Sequence, residues 1–213
     1  AYSETGYSVS LSADGLRVAI GAIGDTGTGS YTGHVRVYDW SGSSWTQVGS
    51  DIDGESGFDW SGRSVSLSSD GTRVAIGADG QGTYLGHVRV YDWSGSSWTK
   101  VGADIYGEAE YDQSGFSVSL SADGSRVAIG APYNDGNDTN SGHVRVYDWS
   151  GSSWTKLGAD IDGEGDFDYS GYSVSLSADG SRVAIGAYSN DGNGINSGHV
   201  RVYDWSGSSW TKL

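Results

Sequence analysis

The sequence predicts an all-β protein made of four tandem repeats, each a sheet of four antiparallel strands. Three observations predict it. The 213 residues repeat themselves four times. Within a repeat, short runs alternate apolar and polar residues, which is the period of a strand. Turn-forming residues separate the runs, and no stretch carries the apolar stripe of a helix.

The repeat begins with Gly6-Tyr7-Ser8-Val9-Ser10-Leu11-Ser12, whose pattern returns from Gly62, Gly115 and Gly171. Val9 and Leu11 point one way and the serines the other. Asp14-Gly15 follows and supplies the positive φ that a tight hairpin needs. The second run is Arg17–Ala22, with Val18 and Ile20 on one face. A loop of variable length leads to the third run, His34–Trp40. Asp79–Leu85 is shorter than its counterparts Ile23–Thr32, Pro132–Ser141 and Tyr188–Ser197, so successive copies are 53 or 56 residues apart. Ser41-Gly42-Ser43-Ser44 turns the chain into the fourth run, Trp45–Val48, and brings Trp40 near Trp45. The repeats span 1–55, 56–108, 109–164 and 165–213 of a single domain, 1–213.

Alternation places Val9, Leu11, Val18, Ile20, Val35 and Val37 on one expected face. Ser10, Ala19, Gly21, Arg36, Tyr38 and Trp40 form the other. One sheet cannot bury both faces. Stacking the apolar face of one repeat on the small-residue face of the next does so, which is the logic of propeller blades or of a stacked solenoid. The chain starts just after one linker and stops just before another would begin. The expectation is a closed four-blade ring, or part of a larger ring or array.

These blocks resemble the FG-GAP repeats of integrin α-subunit β-propellers and their bacterial or algal extracellular relatives. Ser114-Gly115-Phe116-Ser117-Val118 and Ala128-Ile129-Gly130-Ala131-Pro132 carry the resemblance, followed by Gly142-His143-Val144-Arg145-Val146-Tyr147. The other repeats replace Pro132 with Ile23, Asp79 or Tyr188, and Phe116 with Tyr7, Arg63 or Tyr172. The resemblance implies four-stranded propeller blades on an extracellular or cell-surface protein. Many relatives carry an Asp-rich calcium loop between the first two strands; here Ser12-Ala13-Asp14-Gly15 offers one carboxylate there.

Composition narrows the function. The net charge of −15 disfavours phosphate backbones and anionic lipid, so neither nucleic acid nor membrane insertion is expected. There is no cysteine, hence no disulfide framework or thiol chemistry. No nucleophile elbow or phosphate loop occurs, and each conspicuous residue has siblings in the other repeats, so no enzyme is expected.

Candidate sites follow from residue type and spacing. Asp51, Asp53 and Glu55, with Asp160, Asp162 and Glu164, are closely spaced oxygen donors that suit calcium. As a solvated acidic linker they need no metal. His34, His87, His143 and His199 read as strand histidines repeated by duplication. Arg17 and Arg36 are expected on one face, paired with aspartates such as Asp14 or stacked on aromatic rings. Phe58, Trp60, Tyr111, Phe167 and Tyr169 lie in the linkers and are the expected partner contacts. Asn137-Asp138-Thr139 is a glycosylation sequon.

The resulting expectation is a non-enzymatic structural or adhesion module, a segment of a tandem array or a unit of a fibrous assembly. Its partners would be copies of itself or adjoining repeats, carbohydrate, or cell-surface proteins. The alternative is a lectin-like propeller with one sugar pocket per blade.

Overall fold

The computed structural model describes residues 3–24, 29–80 and 84–213, so the loops at 23–32 and 79–85 fall partly outside the described residues. The described residues form four sheets. The first holds β1 (Thr5–Leu11), β2 (Arg17–Ala22), β3 (His34–Trp40), β4 (Trp45–Gln47) and β5 (Ile52–Asp53). The second holds β6 (Ser64–Leu67), β7 (Arg73–Ala78), β8 (His87–Trp93), β9 (Trp98–Lys100) and β10 (Ile105–Tyr106). In the third are β11 (Ser117–Leu120), β12 (Arg126–Ala131), β13 (His143–Trp149), β14 (Trp154–Lys156) and β15 (Ile161–Asp162). The fourth has β16 (Ser170–Leu176), β17 (Arg182–Ala187), β18 (His199–Trp205) and β19 (Trp210–Lys212). Each sheet is a blade of four antiparallel strands in chain order.

The linker contributes more than sequence suggests. Ile52 pairs with Val35 and Asp53 with His34, so β5 extends the outer edge of the first sheet. Ile52 is buried there, which draws the acidic run against the sheet.

Local chemistry fixes the first hairpin. Ser12 Oγ donates to Asp14 Oδ1 at 2.6 Å and accepts the Arg17 N–H at 3.0 Å. Asp14 Oδ1 also accepts the Leu16 N–H at 2.9 Å, and Gly15 takes a φ of 71°. These bonds hold the Asp14 carboxyl below its usual range. Its single carboxylate is a turn former. At the other hairpin, Trp40 and Trp45 meet with ring centroids 5.4 Å apart.

The register corrects the expected faces. Val9 opposes Ile20, which opposes Arg36; Leu11 opposes Val18, which opposes Tyr38. Directly opposed residues share a face. Val9, Leu11, Val18 and Ile20 therefore lie with Arg36 and Tyr38. Val35 and Val37 lie on the opposite face with Ala19 and Gly21. Alternation within a strand cannot reveal this, because it leaves open which parity of one strand meets which parity of the next.

Both faces are thus partly apolar, and each meets a different neighbour. Ala19, Val35, Val37 and Ile52 of the first sheet pack on Val65, Leu67, Val74 and Ile76 of the second. The second sheet meets the third, and the third the fourth, in the same manner. The aliphatic rows of the second, third and fourth sheets are each covered by the preceding sheet, the reverse of the expected order. Full burial of each such side chain contributes about 1.5–3 kcal/mol.

Polar bonds fix the spacing between sheets. Ser8 Oγ donates to the Gly62 carbonyl at 2.7 Å, and Leu67 N–H donates to Ser10 Oγ at 2.9 Å. Trp98 Nε1 donates to the Val48 carbonyl at 3.0 Å. Arg17 forms a bidentate pair with Asp39, donates to the Gly71 carbonyl at 3.0 Å and lies over Trp93. Its partner is Asp39, not Asp14, and register puts it on the face opposite Arg36.

The first strands lie against one another in turn: β1 on β6, β6 on β11 and β11 on β16. The series does not return to its start. Val9, Leu11 and Leu16 of the first sheet, and Val200 of the fourth, are exposed. Among the arrangements expected, the described residues take the open arc of four blades.

Candidate functional site

The loops ahead of β3 and β6 run side by side. Phe58 N–H donates to the Ser30 carbonyl at 2.8 Å, Trp60 N–H to Tyr31 at 3.1 Å and Ser61 N–H to Thr32 at 3.0 Å. Beneath them the buried Asp59 accepts the N–H groups of Glu55 and Ser56 through Oδ2 at 3.0 and 2.9 Å. Burial pushes the Asp59 carboxyl up, against the pull of these donors. The arrangement recurs. Asp112 accepts the Ala109 N–H and the Asn134 side-chain amide. Asp168 accepts two backbone N–H groups and the Asn190 side-chain amide at 2.7 Å.

The consequence is a row of bulky residues with left-handed backbone. Phe58 has φ 65°, Trp60 55°, Tyr111 73°, Phe167 57° and Tyr169 54°. Tyr31 and Tyr84 on the facing loops share this conformation. Such residues cost on the order of 1–3 kcal/mol each and persist only where their surroundings hold them. Here the buried aspartates and the loop-to-loop bonds do so.

All five expected contact residues therefore lie in one type of loop. Phe58, Tyr111 and Phe167 are exposed, while Trp60 and Tyr169 are half-buried. Phe58 stacks on Tyr31 with centroids 5.8 Å apart, Tyr111 on Tyr84 at 6.1 Å and Tyr169 on Tyr188 at 5.3 Å. Sequence reasoning missed Asp59, Asp112 and Asp168. The signal was present as an aspartate between two large residues in Phe58-Asp59-Trp60, Tyr111-Asp112-Gln113 and Phe167-Asp168-Tyr169, each followed by Ser-Gly.

One repeat departs from its siblings at both positions of a pair. Arg63 stands where Tyr7, Phe116 and Tyr172 stand, and Asp79 where Ile23, Pro132 and Tyr188 stand. The two meet at 3.1 Å. The Arg63 guanidinium lies 4.0 Å from the Phe116 ring centroid and 4.9 Å from that of Tyr7. Burial raises the Asp79 carboxyl to about 6 despite the opposing pull of Arg63.

Three similar grooves lie between outer edges of neighbouring sheets. The first, of about 230 Å³, is lined by Asp51, Asp53, Tyr91 and Trp98 among others. The second has Asp104, Tyr106, Tyr147 and Trp154, and the third Asp160, Asp162, Tyr203 and Trp210.

The expected calcium ligands point to separate partners. Asp51 accepts from Arg36 at 2.8 Å and from Gln47 at 2.6 Å. Glu55 crosses to the next sheet, to Arg89 at 2.9 Å and Lys100 at 3.7 Å. Asp160 holds Lys156 at 2.7 Å, and Glu164 reaches Arg201 and Lys212 of the fourth sheet. Asp53 and Asp162 sit opposite His34 and His143 and are exposed. Among the described residues, two groups bring ligand atoms within 4.8 Å of one another: His34 with Asp51 and Asp53, and His143 with Glu108 and Asp160. Calcium takes six to eight oxygens, and each set offers one imidazole and two carboxylates, of which Asp51, Glu108 and Asp160 already face guanidinium or ammonium groups. The acidic linkers act as ionic clasps from each sheet to the next.

The histidines lie in four separate sheets and do not gather at one point. Burial drives His87 and His143 down to about 4, reinforced by Arg89 and Arg145 respectively, so both are neutral near pH 7. Asn137 of the sequon is exposed, and its amide donates to the Gly163 carbonyl at 3.0 Å.

Comparison with known proteins agrees with this architecture. The family described as FG-GAP repeat matches residues 107–147 and 155–203. No curated protein matches the chain. The β-propeller domain of the Trilobed protease from Pyrococcus furiosus, described as having an open velcro topology, superposes with a TM-score of 0.56 at 11% identity. That match covers 97% of this chain and 56% of the other. Periplasmic gluconolactonase PpgL from Pseudomonas aeruginosa gives 0.63 at 15% identity, over 97% of this chain and 55% of that one. The chain thus spans little more than half the length of either, and at these identities the likeness is one of fold. Residues 107–147 and 155–203 thus match FG-GAP repeats, within four sheets arranged as propeller blades.

Proposed function

We propose that this protein is a non-enzymatic scaffold of the extracellular or cell-surface kind, which binds its partner through the aromatic loop edge. One observation carries the reading: Phe58, Tyr111 and Phe167 are exposed although each sits on a strained backbone. A protein gains nothing in stability from holding large apolar rings in solvent at positive φ, so the strain points to a use outside the core. The repetition supports multivalent contact, in which several weak loops add up to firm attachment. Several carboxylates that an acid–base enzyme could use are instead engaged by arginine or backbone N–H groups, among them Asp39, Asp51, Asp59 and Asp104. The test is adhesion of the purified chain to plates coated with matrix glycoproteins and to a glycan array. Replacing Phe58, Tyr111 and Phe167 together with Ala should cost at least about tenfold in binding. Binding unchanged in that variant would reject the loop edge.

A second reading, a lectin-like module, draws on the three grooves. Each offers a Tyr and a Trp beside a carboxylate, a set suited to stacking on a sugar ring and accepting from its hydroxyls. Under this reading Trp98→Ala and Trp154→Ala would reduce glycan-array signal while the loop variant retained it.

A further inference from the structure

The two uncovered faces of the arc are the two halves of a junction that the chain already forms three times. On the first sheet, Val9 and Leu11 are 65% and 58% exposed. Beside them Val18, Ile20, Tyr38 and Trp45 line an open groove of about 230 Å³. These residues correspond to Val65, Leu67, Val74, Ile76, Tyr91 and Trp98, which the first sheet covers on the second. On the fourth sheet Val200 is 69% exposed, with Ala184 and Val202 partly so. They correspond to Ala19, Val35 and Val37, which do the covering.

The polar groups match as well. At each internal junction a serine hydroxyl meets a glycine carbonyl, an arginine meets a second glycine carbonyl, and a tryptophan N–H meets the residue after the outer strand. On the fourth sheet Ser173 and the Arg182 Nη1 occupy the donor positions, Ser175 occupies the position whose hydroxyl accepts a leucine N–H at the internal junctions, and none of the three has a partner across a junction. On the first sheet the Gly6 and Gly15 carbonyls, the Leu11 N–H and Trp45 Nε1 stand ready in the complementary positions. The charge pattern agrees. Lys100, Lys156 and Lys212 each reach a glutamate of the preceding linker, whereas the first sheet has Gln47 there. That face calls for no glutamate from the sheet ahead of it.

We propose that the occupant of each uncovered face is a second copy of this chain. Two copies meet head to tail, the first sheet of each on the fourth sheet of the other, and close a ring of eight sheets, four from each copy. The arc has the right extent. Nearly all of this chain lies on 55–56% of two solved propellers, so two arcs complete a ring of comparable size. Ser173 Oγ then donates to Gly6 of the second copy, Arg182 to Gly15 and Trp45 Nε1 to the Leu213 carbonyl, as the equivalent groups do inside each chain. The inference rests on the junction and not on what the loop edge binds.

Sedimentation equilibrium of the purified chain across micromolar concentrations tests it. The expected particle has twice the 22.3 kDa mass of the chain and does not grow further with concentration. Val9→Asp blocks the first-sheet face and Val200→Asp the fourth-sheet face. Both residues are exposed in the single chain, so each variant should keep the wild-type circular dichroism spectrum. Each alone should be a monomer, with dissociation about a hundredfold or more easier than for the wild type. Mixed in equal amounts, the two should form a dimer through the one intact junction. A wild-type monomer at all concentrations, open-ended filaments, or a mixture that stays monomeric would each overturn the proposal.

Discussion

The second and third sheets and the two end sheets have nearly the same sequence, the same register and the same turns, yet they differ in burial. Val65 and Val118 are 8% exposed, while their counterpart Val9 is open to solvent. Val88 and Val144 are at 0%, while Val200 is among the most exposed apolar residues of the chain. The strand alternation is identical in all of them. The lesson is that the repeat encodes the sheet, whereas burial of its faces is a property of the junction between two sheets. No single repeat owns a core.

The comparison can be broken most directly by truncating one leucine at two places. Leu120→Ala should destabilise the monomeric chain by about 2–5 kcal/mol, because it opens a cavity between packed sheets. Leu11→Ala, the same substitution in the first sheet, should cost under about 1 kcal/mol. Urea unfolding at concentrations where the chain is monomeric reads both. Equal losses would mean that the leucine acts within its own sheet.

Glycine offers a second contrast. A Cβ on Gly130 would run into the carbonyl of Gly171 on the next sheet, as would one on Gly77 into that of Gly115. At Gly186 the nearest atoms belong to Ser173 of the same sheet, whose hydroxyl can turn away. Gly130→Ala should therefore cost about 3 kcal/mol and Gly186→Ala less than about 1. Thermal melts of the two variants provide the measurement.

Acid titration sharpens the comparison further, because His87 and His143, the imidazoles that burial pushes down, belong to the two inner sheets. His87 and His143 titrate near 4 when folded and near 6.5 when unfolded. The unfolded chain therefore binds more protons between these values. Their contribution is complete above about pH 6.5 and is lost as the pH falls toward 4, by about 3 kcal/mol for each. Asp79 works the other way. Its folded value of about 6 makes the folded chain bind more protons, so its contribution fades as the pH rises from about 4 to 6. Two histidines outweigh one aspartate, and net stability should fall on acidification. His87→Gln with His143→Gln should flatten that slope, and Asp79→Asn should steepen it.

The smallest effect concerns the ionic clasps. Glu108 is exposed and faces Arg145 and Lys156 of the next sheet. Glu108→Gln should cost about 0.5 kcal/mol at low salt and nothing measurable in 0.5 M salt. A larger, salt-independent loss would instead assign that carboxylate a structural role.

Much of the candidate site was legible in the chain. Phe58, Trp60, Tyr111, Phe167 and Tyr169 stand out because they break the polar run of the linkers. Their left-handed backbone did not stand out, since nothing in an isolated phenylalanine announces a positive φ; the bonds to the facing loop and the aspartate below impose it. The acidic runs were legible as carboxylates but not as clasps, because Arg89 and Arg145 approach Glu55 and Glu108 only when sheets stack. Arg17 likewise found Asp39 through strand register, not through the nearby Asp14.

The sequence by itself determined the repeat, the strands and the hairpins. Alternation, Asp-Gly and Ser-Gly act over a few residues and need no neighbour. Only the tertiary structure decided which strand parities share a face, which sheet covers which, and that the described residues form an open arc of four blades and not a closed four-blade ring. Those outcomes depend on the hydrogen-bond register between strands and on the small rotation from one sheet to the next, and neither quantity is written in any one repeat.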